Sequence, residues 1–393
     1  MTNIVITSAK RTPIGKFLGS LSSLSAPELG KIVLNSVIKD SNLSKKDVDE
    51  VIFGQVLTGG SGQNPARQSS CLAEIPIEKS AVTINQVCGS GLRAVSMAAQ
   101  SILTNQSEIV IAGGQESMSN AHHTSNLRNG YKMGDADFKD SMIIDGLWCA
   151  MNNYHMGTTA ENIAERFKIS KDEQDKFAVL SQNKAETAQL ANKFIEEIEP
   201  VKIKTKKEEV IFDKDEFPRH GSTFEKINNL RAVFKKDGTV SAGNASGLND
   251  GAAAICLMSE KKANELNLKP LARIVSWSSV GVDPSIMGIG PVPAVKKALK
   301  IANWDISELD LIEANEAFAA QALAVSKELN LNQEIVNVNG GAIALGHPIG
   351  ASGARILVTL IHEMVKQKKT KGLATLCIGG GQGVAMCVER NYS

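Results

Sequence analysis

Two cysteines and one histidine stand in glycine-rich settings that a purely structural residue does not need. Asn85-Gln-Val-Cys88-Gly-Ser-Gly-Leu-Arg93 follows a β-rich run and opens a helical one. Cys88 is therefore predicted at a helix N-terminus, where the macrodipole and unpaired amides favour a thiolate. A free cysteine is more often a buried structural group, but such a group has no use for flanking glycines that let a ligand approach the backbone. Gly340-Gly-Ala-Ile-Ala-Leu-Gly-His347-Pro-Ile-Gly-Ala-Ser-Gly353 holds His347 in a glycine-bracketed loop. There Pro348 lacks an amide and keeps His347 out of α-helical torsions. A histidine so fixed acts as base toward a thiol; the plain alternative is a histidine hydrogen-bonded in a turn. Cys377-Ile-Gly-Gly-Gly-Gln-Gly383 follows a strand predicted over 373–376, and its successive amides make an anion nest or merely a polyglycine turn. Asn315, in Glu313-Ala-Asn-Glu-Ala-Phe318, ends another strand and has a helix cap as its bland reading. In open α/β sheets ligands bind beyond the carboxyl ends of strands, so four such positions in one fold weigh more than any one.

The elements that must position these residues alternate. Ala81-Val-Thr-Ile-Asn85, an amphipathic stretch Leu92–Leu103 and Glu108-Ile-Val-Ile-Ala112 read as a βαβ unit in a mostly parallel sheet. The pattern then repeats. Val48-Asp-Glu-Val-Ile52 resembles Leu309-Asp-Leu-Ile-Glu313, and Ala81–Asn85 resembles Ile335-Val-Asn-Val-Asn339 at an offset of 254 (339 − 85). Ser90-Gly-Leu-Arg93 matches Ser352-Gly-Ala-Arg355 at 262 (352 − 90), and Gly113-Gly-Gln115 matches Gly380-Gly-Gln382. Four matches in one order imply a duplicated fold. The rise from 254 to 262 places an insertion in the second half, and that insertion carries His347; an extra loop at such a junction is a natural place for function. The segment 120–248, rich in methionine and containing the lysine-rich stretch 202–207, breaks the rhythm. The expected division is therefore 1–119 plus 249–270 for the first half, 120–248 for an inserted loop domain, and 271–393 for the second half.

Composition bounds the chemistry. The 393 residues suffice for two or three domains. Lys+Arg at 43 against Asp+Glu at 42 removes the electrostatic case for nucleic acid or an anionic membrane as main partner, and no run is apolar and long enough to span a bilayer. Six cysteines without a secretory signal or a CxxC pair read as free thiols in a reducing compartment. Lys10, Arg11 and Lys16 raise the question of a transit peptide. Asn3–Ser8 nevertheless reads as a strand, and Asn391-Tyr-Ser393 is not a peroxisomal address, so the cytoplasm is the expectation.

Asn85–Ala94, Glu313–Gln321, Gly346–Arg355 and Cys377–Ala385 resemble the signature segments of the thiolases, and the likeness runs over essentially the whole chain. Tyr154-His-Met-Gly157, Gly243-Asn-Ala-Ser-Gly-Leu-Asn-Asp-Gly251 and the long 120–248 segment are most similar to the biosynthetic branch, which condenses two acetyl-CoA to acetoacetyl-CoA. The resemblance implies an α/β fold with a five-layered αβαβα core made of two mixed-sheet halves. A loop domain would cover coenzyme A, and the assembly would be a tetramer. It implies Cys88 as the acylated nucleophile, His347 as its base, and Cys377 as the acid/base for the α-proton. Asn315 would hold a water that stabilises the enolate with His347, while the amides of Cys88 and Gly379 form the other oxyanion hole. Carried across in the same way, Leu147, His155, Met156, Arg219, Phe234, Ala242, Ser246, Ala317 and Phe318 would contact coenzyme A, and Met287 would wall the acyl pocket. No metal or redox cofactor is implied, since coenzyme A thioesters are substrates. Lys226 departs from the family pattern near the nucleotide, where a small hydroxyl residue is expected, and Gln115 departs from it in a Gly-Gly-x-Glu-Ser stretch, where methionine is usual. The competing readings are a degradative 3-ketoacyl-CoA thiolase of broader chain length, a β-ketoacyl-carrier-protein synthase, which is expected to lack the Cys377 segment, and a non-catalytic acyl-CoA-binding member of the superfamily.

Overall fold

The computed structural model describes residues 2–204 and 208–391. The last positions of the lysine-rich stretch 202–207 and of the C-terminal 391–393 lie outside the described residues. Nine strands carry the architecture: β1 (Ile4–Arg11), β2 (Glu50–Gly54), β3 (Ser80–Ile84), β4 (Ile109–Ser117), β5 (Asn249–Ser259), β6 (Ala272–Gly281), β7 (Leu311–Ala314), β8 (Lys371–Ile378) and β9 (Gln382–Glu389). They hydrogen-bond in the order β7-β8-β9-β6-β1-β5-β4-β2-β3, and the short strand Gly15–Lys16 adds to β5. The halves β1-β5-β4-β2-β3 and β6-β9-β8-β7 repeat one order. In the second half the place of β3 is taken by a single bridge between Ile312 and Val336.

The halves meet where β1 pairs with β6, Ile4 opposite Ile274. Each of these strands slips register just beyond, between Ile6 and Ser8 and between Ile274 and Ser276. Such bulges bend and twist a strand, and here the ribbon folds over on itself. Only β2–β3, β2–β4 and β7–β8 are parallel, so the mostly parallel sheet expected from the alternation is instead a mixed one. The reason is local: β8 turns directly into β9 through Gly380 and Gly381, both at φ near +85°, and a tight hairpin enforces antiparallel pairing.

Alternate residues of each strand feed opposite faces. Val110 and Ala112 of β4, with Ala374 and Leu376 of β8, pack on a central pair of helices, α3 (Ser90–Leu103) and α8 (Ser352–Lys366). Ile109 and Ile111 pack outward on α1 (Ala26–Asp40) and α2 (Pro65–Leu72). Leu373 packs outward on α6 (Pro291–Ala302) and α7 (Ala319–Leu329). Five layers result, helices outermost and innermost. The first turns of α3 and α8 touch because both carry glycine. A Cβ on Gly91 would lie 2.6 Å from the Ala354 amide nitrogen, and one on Gly353 would lie 2.4 Å from that of Leu92. The repeated Ser-Gly pair is thus the contact that brings the Cys88 and His347 loops together.

The chain leaves β4 at Ser117 and returns at β5, which pairs with both β1 and β4. The excursion holds α4 (Met156–Phe167) and α5 (Lys171–Leu190), the latter started by a capping box between Ser170 and Glu173. It is tied to the core by fully buried Arg11, which donates to Glu197 at 2.7 Å and to Asp215 at 2.6 and 2.9 Å.

Candidate active site

Cys88 is presented by a strained turn. Val87 sits at φ +47°, a region that costs a β-branched residue on the order of 1–3 kcal/mol. The turn is braced on three sides: the Val87 amide donates to Asn85 Oδ1 at 2.9 Å, and Ser90 Oγ donates to the Val87 carbonyl at 2.7 Å and accepts from the Gln86 amide at 2.8 Å. The half-buried Cys88 sulfur accepts from the amides of Gly379 and of Cys88 itself. Burial nonetheless dominates and pushes the thiol up to about 11. Burial thus opposes the thiolate that the helix N-terminus favours, desolvation outweighing the two amides.

His347 is buried, and its amide donates to Asn249 Oδ1 at 2.8 Å. Its Nδ1 lies 2.6 Å from Ser352 Oγ, which donates to the Pro348 carbonyl at 2.8 Å. A hydroxyl has one proton. With that proton on Pro348, Nδ1 carries the imidazole proton toward Ser352 and Nε2 keeps the lone pair. Nε2 is buried with no partner. Burial, aided by the charge of Arg355, lowers His347 to about 3, so the ring is a neutral base. It does not follow a strand as expected; a one-turn helix, Ala342–Leu345, precedes it, because the equivalent strand has shrunk to the Val336 bridge.

Cys377 is the penultimate residue of β8 rather than the first after it, and it is fully buried. Burial, then the neighbouring Cys88, pushes its thiol far above the ordinary range. Asn315 follows β7, with its amide donating to Thr375 at 2.9 Å. Both of its side-chain polar atoms are buried without a partner. The next helix is capped at Phe318, so Asn315 is not its cap.

A cavity of about 550 Å³ is lined by Leu147, His155, Arg219, Phe234, Ala242, Ser246 and Phe318, and also by His347. Phe234 stacks on His155 at 4.6 Å and meets Phe318 edge-on at 6.4 Å. Two of the proposed coenzyme A contacts lie behind this wall. Ala317 accepts from the Ser246 amide at 3.0 Å, and Met156 packs with Met287, Phe318 and Cys377 in one buried cluster. That cluster brings Met287 beside the second thiol. Gly379 adjoins Met156 and Val87. The two departures also find places. Gln115 is buried in a chain with Ser69 Oγ at 2.6 Å and Gln55 Oε1 at 3.0 Å, and Lys226 donates to the Gly221 carbonyl at 3.0 Å. Three supporting residues escaped the sequence reading, namely Asn249, Ser352 and Glu116. Ser352 left a trace there as the counterpart of Ser90, and Asn249 as a member of the Gly243–Gly251 motif, but neither was given a role. Among the described residues no group of three or more His, Cys, Asp or Glu is placed to hold a metal.

A half-buried thiol and a buried one, a buried imidazole with an unpartnered Nε2 and a pair of amides on one sulfur lie where the two duplicated halves meet, an arrangement chemically suited to cysteine-dependent acyl transfer. Residues 4–261 match the thiolase N-terminal domain and residues 268–390 the thiolase C-terminal domain. The chain is 59% identical to the acetyl-CoA acetyltransferase of Paracoccus denitrificans over 99% of its own length and 100% of that protein's. It is 57% identical to the protein of the same name from Cupriavidus necator, covering 99% and 100%. The crystal structure of the Bacillus anthracis acetyl-CoA acetyltransferase superposes with a TM-score of 0.97 at 46% identity, covering 99% of each chain. The chain belongs to the thiolase family and is an acyltransferase.

Proposed function

We propose that this chain is an acetyl-CoA C-acetyltransferase, joining two acetyl-CoA to acetoacetyl-CoA and coenzyme A, reversibly, through an acetyl-cysteine. His347 Nε2 takes the Cys88 proton as the sulfur attacks the thioester carbonyl, and the amides of Cys88 and Gly379 receive the oxyanion. Cys377 protonates the departing coenzyme A sulfur and is left as a thiolate. The burial that makes its proton hard to remove makes that thiolate a strong base, suited to the α-proton of the second acetyl-CoA. His347 and a water on Asn315 stabilise the enolate oxygen; its carbon attacks acetyl-Cys88, the C–S bond breaks, and the departing Cys88 sulfur takes back the proton that His347 accepted, while Cys377 keeps the α-proton. No cofactor takes part. Coenzyme A lies in the cavity lined by His155, Arg219, Phe234 and Ser246, with Met156, Ala317 and Phe318 toward the acyl end.

The observation that carries this reading is the neighbouring pair of thiols, Cys88 and Cys377, with the amides of Gly379 and Cys88 on one sulfur, together with the buried, unpartnered His347 Nε2 and both side-chain atoms of Asn315. Free cysteines favour a cytoplasmic setting. Exposed Leu127, Tyr131, Met133 and Phe138 on the excursion favour a homotetramer, which light scattering checks. The deciding assay compares thiolysis of acetoacetyl-CoA with that of a medium-chain 3-ketoacyl-CoA, together with mass spectrometry after acetyl-CoA. Acetyl on Cys88 supports the assignment; acetyl on Cys377 exchanges the two roles, and equal rates on both substrates favour a degradative enzyme.

A further inference from the structure

Glu116, near the end of β4, is fully buried, and every hydrogen bond found for its side chain is from a backbone amide. Oε2 accepts from Val56 at 2.9 Å and Gly350 at 3.0 Å, and Oε1 accepts from Leu57 at 3.2 Å. Val56 and Leu57 belong to the loop after β2. With Ile349, Met118 and Met142 they form the apolar cluster on which Val87 and Cys88 rest. Gly350 follows His347 in the same loop, and a Cβ there would come within 2.7 Å of Glu116 Oε2. One carboxylate thus joins the floor under the nucleophile to the loop that carries the base. Burial pushes its carboxyl up to about 7 against the three amides, with Asp250 adding to the rise. An isolated buried carboxylate is costly, and three amide bonds from two loops offset part of that cost here, with burial still prevailing.

We propose that Glu116 is a positioning residue: through three amides it locks the loop beneath Cys88 to the His347 loop, so that thiol and imidazole hold one relative placement through acetyl transfer. This deepens the acetyltransferase reading and rests on it. The groups facing Glu116 are Asp250 from β5 and Cys88 ahead of α3. The loops at Val56, Leu57 and Gly350 present amides, and His347 lies further along the second of them. The carboxylate bears on the Cys88 sulfur as a like charge, disfavouring the thiolate.

The test uses Glu116→Gln and Glu116→Asp in the full chain. Glu116→Gln keeps the volume but must turn its NH2 on at least one amide. Thiolysis kcat is expected to fall about ten- to a hundredfold, the range in which small misplacements of reacting groups act. KM for CoA should stay within about twofold, because binding contacts remain. Removing the neighbouring charge should also move the pH midpoint of Cys88 alkylation by iodoacetamide downward. Glu116→Asp keeps the charge and withdraws from the amides, so kcat falls while the alkylation midpoint stays near wild type. Wild-type kcat in either variant overturns the proposal. So does a Tm loss with no change in kcat or alkylation midpoint, which a merely structural carboxylate would give. If Glu116→Gln does not fold, Glu116→Asp decides alone. Absence of acetyl-Cys88 in the wild type overturns the acyl-transfer reading instead, independently of either variant.

Discussion

Ser90 and Ser352 occupy the same place in the two halves, each the first residue of a central helix and each followed by the glycine that lets α3 and α8 touch. Their hydroxyls are used differently. Ser90 spends its proton on Val87 and accepts the Gln86 amide, so it braces the strained turn that presents Cys88. Ser352 spends its proton on Pro348 and keeps its lone pairs for the His347 ring, because the second half inserts a loop where the first has a short turn. Duplication thus supplied two equivalent helix starts, and one insertion made their surroundings different: a thiol loop at the first, an imidazole loop at the second. The lesson lies on the link from packing to function: the symmetric part is the scaffold, and the chemistry resides where the symmetry fails.

The comparison breaks most completely at the nucleophile. Cys88→Ala should lower thiolysis on the order of 10⁴-fold or more, the scale seen when a covalent nucleophile is removed, and should abolish acetyl labelling. Residual turnover within tenfold of wild type would mean that the first half does not supply the nucleophile.

Exchanging the serines tests the asymmetry itself. Ser352→Ala leaves the His347 Nδ1 proton buried without an acceptor, a cost of about 1–3 kcal/mol, and frees the ring to adopt the other tautomer. Its kcat should fall about ten- to a hundredfold with little change in KM for CoA. Ser90→Ala removes a brace from backbone and should be read mainly in Tm, with the smaller kcat loss. A larger kcat loss for Ser90→Ala would invert the assignment of braces.

Titration sharpens the same point. The Cys88 thiol is raised to about 11 and His347 is lowered to about 3, so both partners are neutral between those values. A raised thiol loses its thiolate as pH falls, so alkylation of Cys88 should climb through pH 9–11 with a midpoint well above that of an ordinary cysteine, about 8.5. A pH-independent plateau of high reactivity across pH 6–8 would reveal a preformed thiolate–imidazolium pair and sink the general-base reading.

Much of this was legible in residue order. Ser-Gly repeats, β-rich runs and glycine-flanked cysteines depend on neighbours in sequence, so the duplication and Cys88, His347, Cys377 and Asn315 could be singled out, though not the strand ends at Cys377 and His347. The resting protonation of Cys88 could not, because it is decided by packing from Val56, Met142 and Ile349, which are distant in sequence. Nor could Asn249 and Glu116, whose partners are backbone amides of other loops. The alternation alone read as mostly parallel, and the mixed halves came only from the family resemblance, because β5 enters between β1 and β4 after the long excursion and its own residues do not announce which strands it will pair with.

Met287 should give the smallest effect, and its test asks whether the second half also fixes substrate length. It lies in a short helical segment, Pro284–Ile289, broken by a kink at Ile286, and is buried in one cluster with Met156, Phe318 and Cys377. A methionine there either walls the acyl pocket or fills an irregular gap, as methionine often does. If it is a wall, each extra methylene or α-methyl meets packed side chains at a cost of about 1–3 kcal/mol, so acetoacetyl-CoA should outpace 2-methylacetoacetyl-CoA and 3-ketohexanoyl-CoA by at least about tenfold in kcat/KM. Met287→Ala should narrow that gap by about tenfold, chiefly by raising the two larger substrates. The stability lost to the new cavity, about 2–5 kcal/mol, lowers Tm but acts alike on all three substrates, so the ratio of rates isolates the wall. Comparable wild-type rates on all three would remove the short-chain assignment, whereas an unchanged ratio in the variant would leave the wall to Met156 and Phe318, shared between the excursion and the second half.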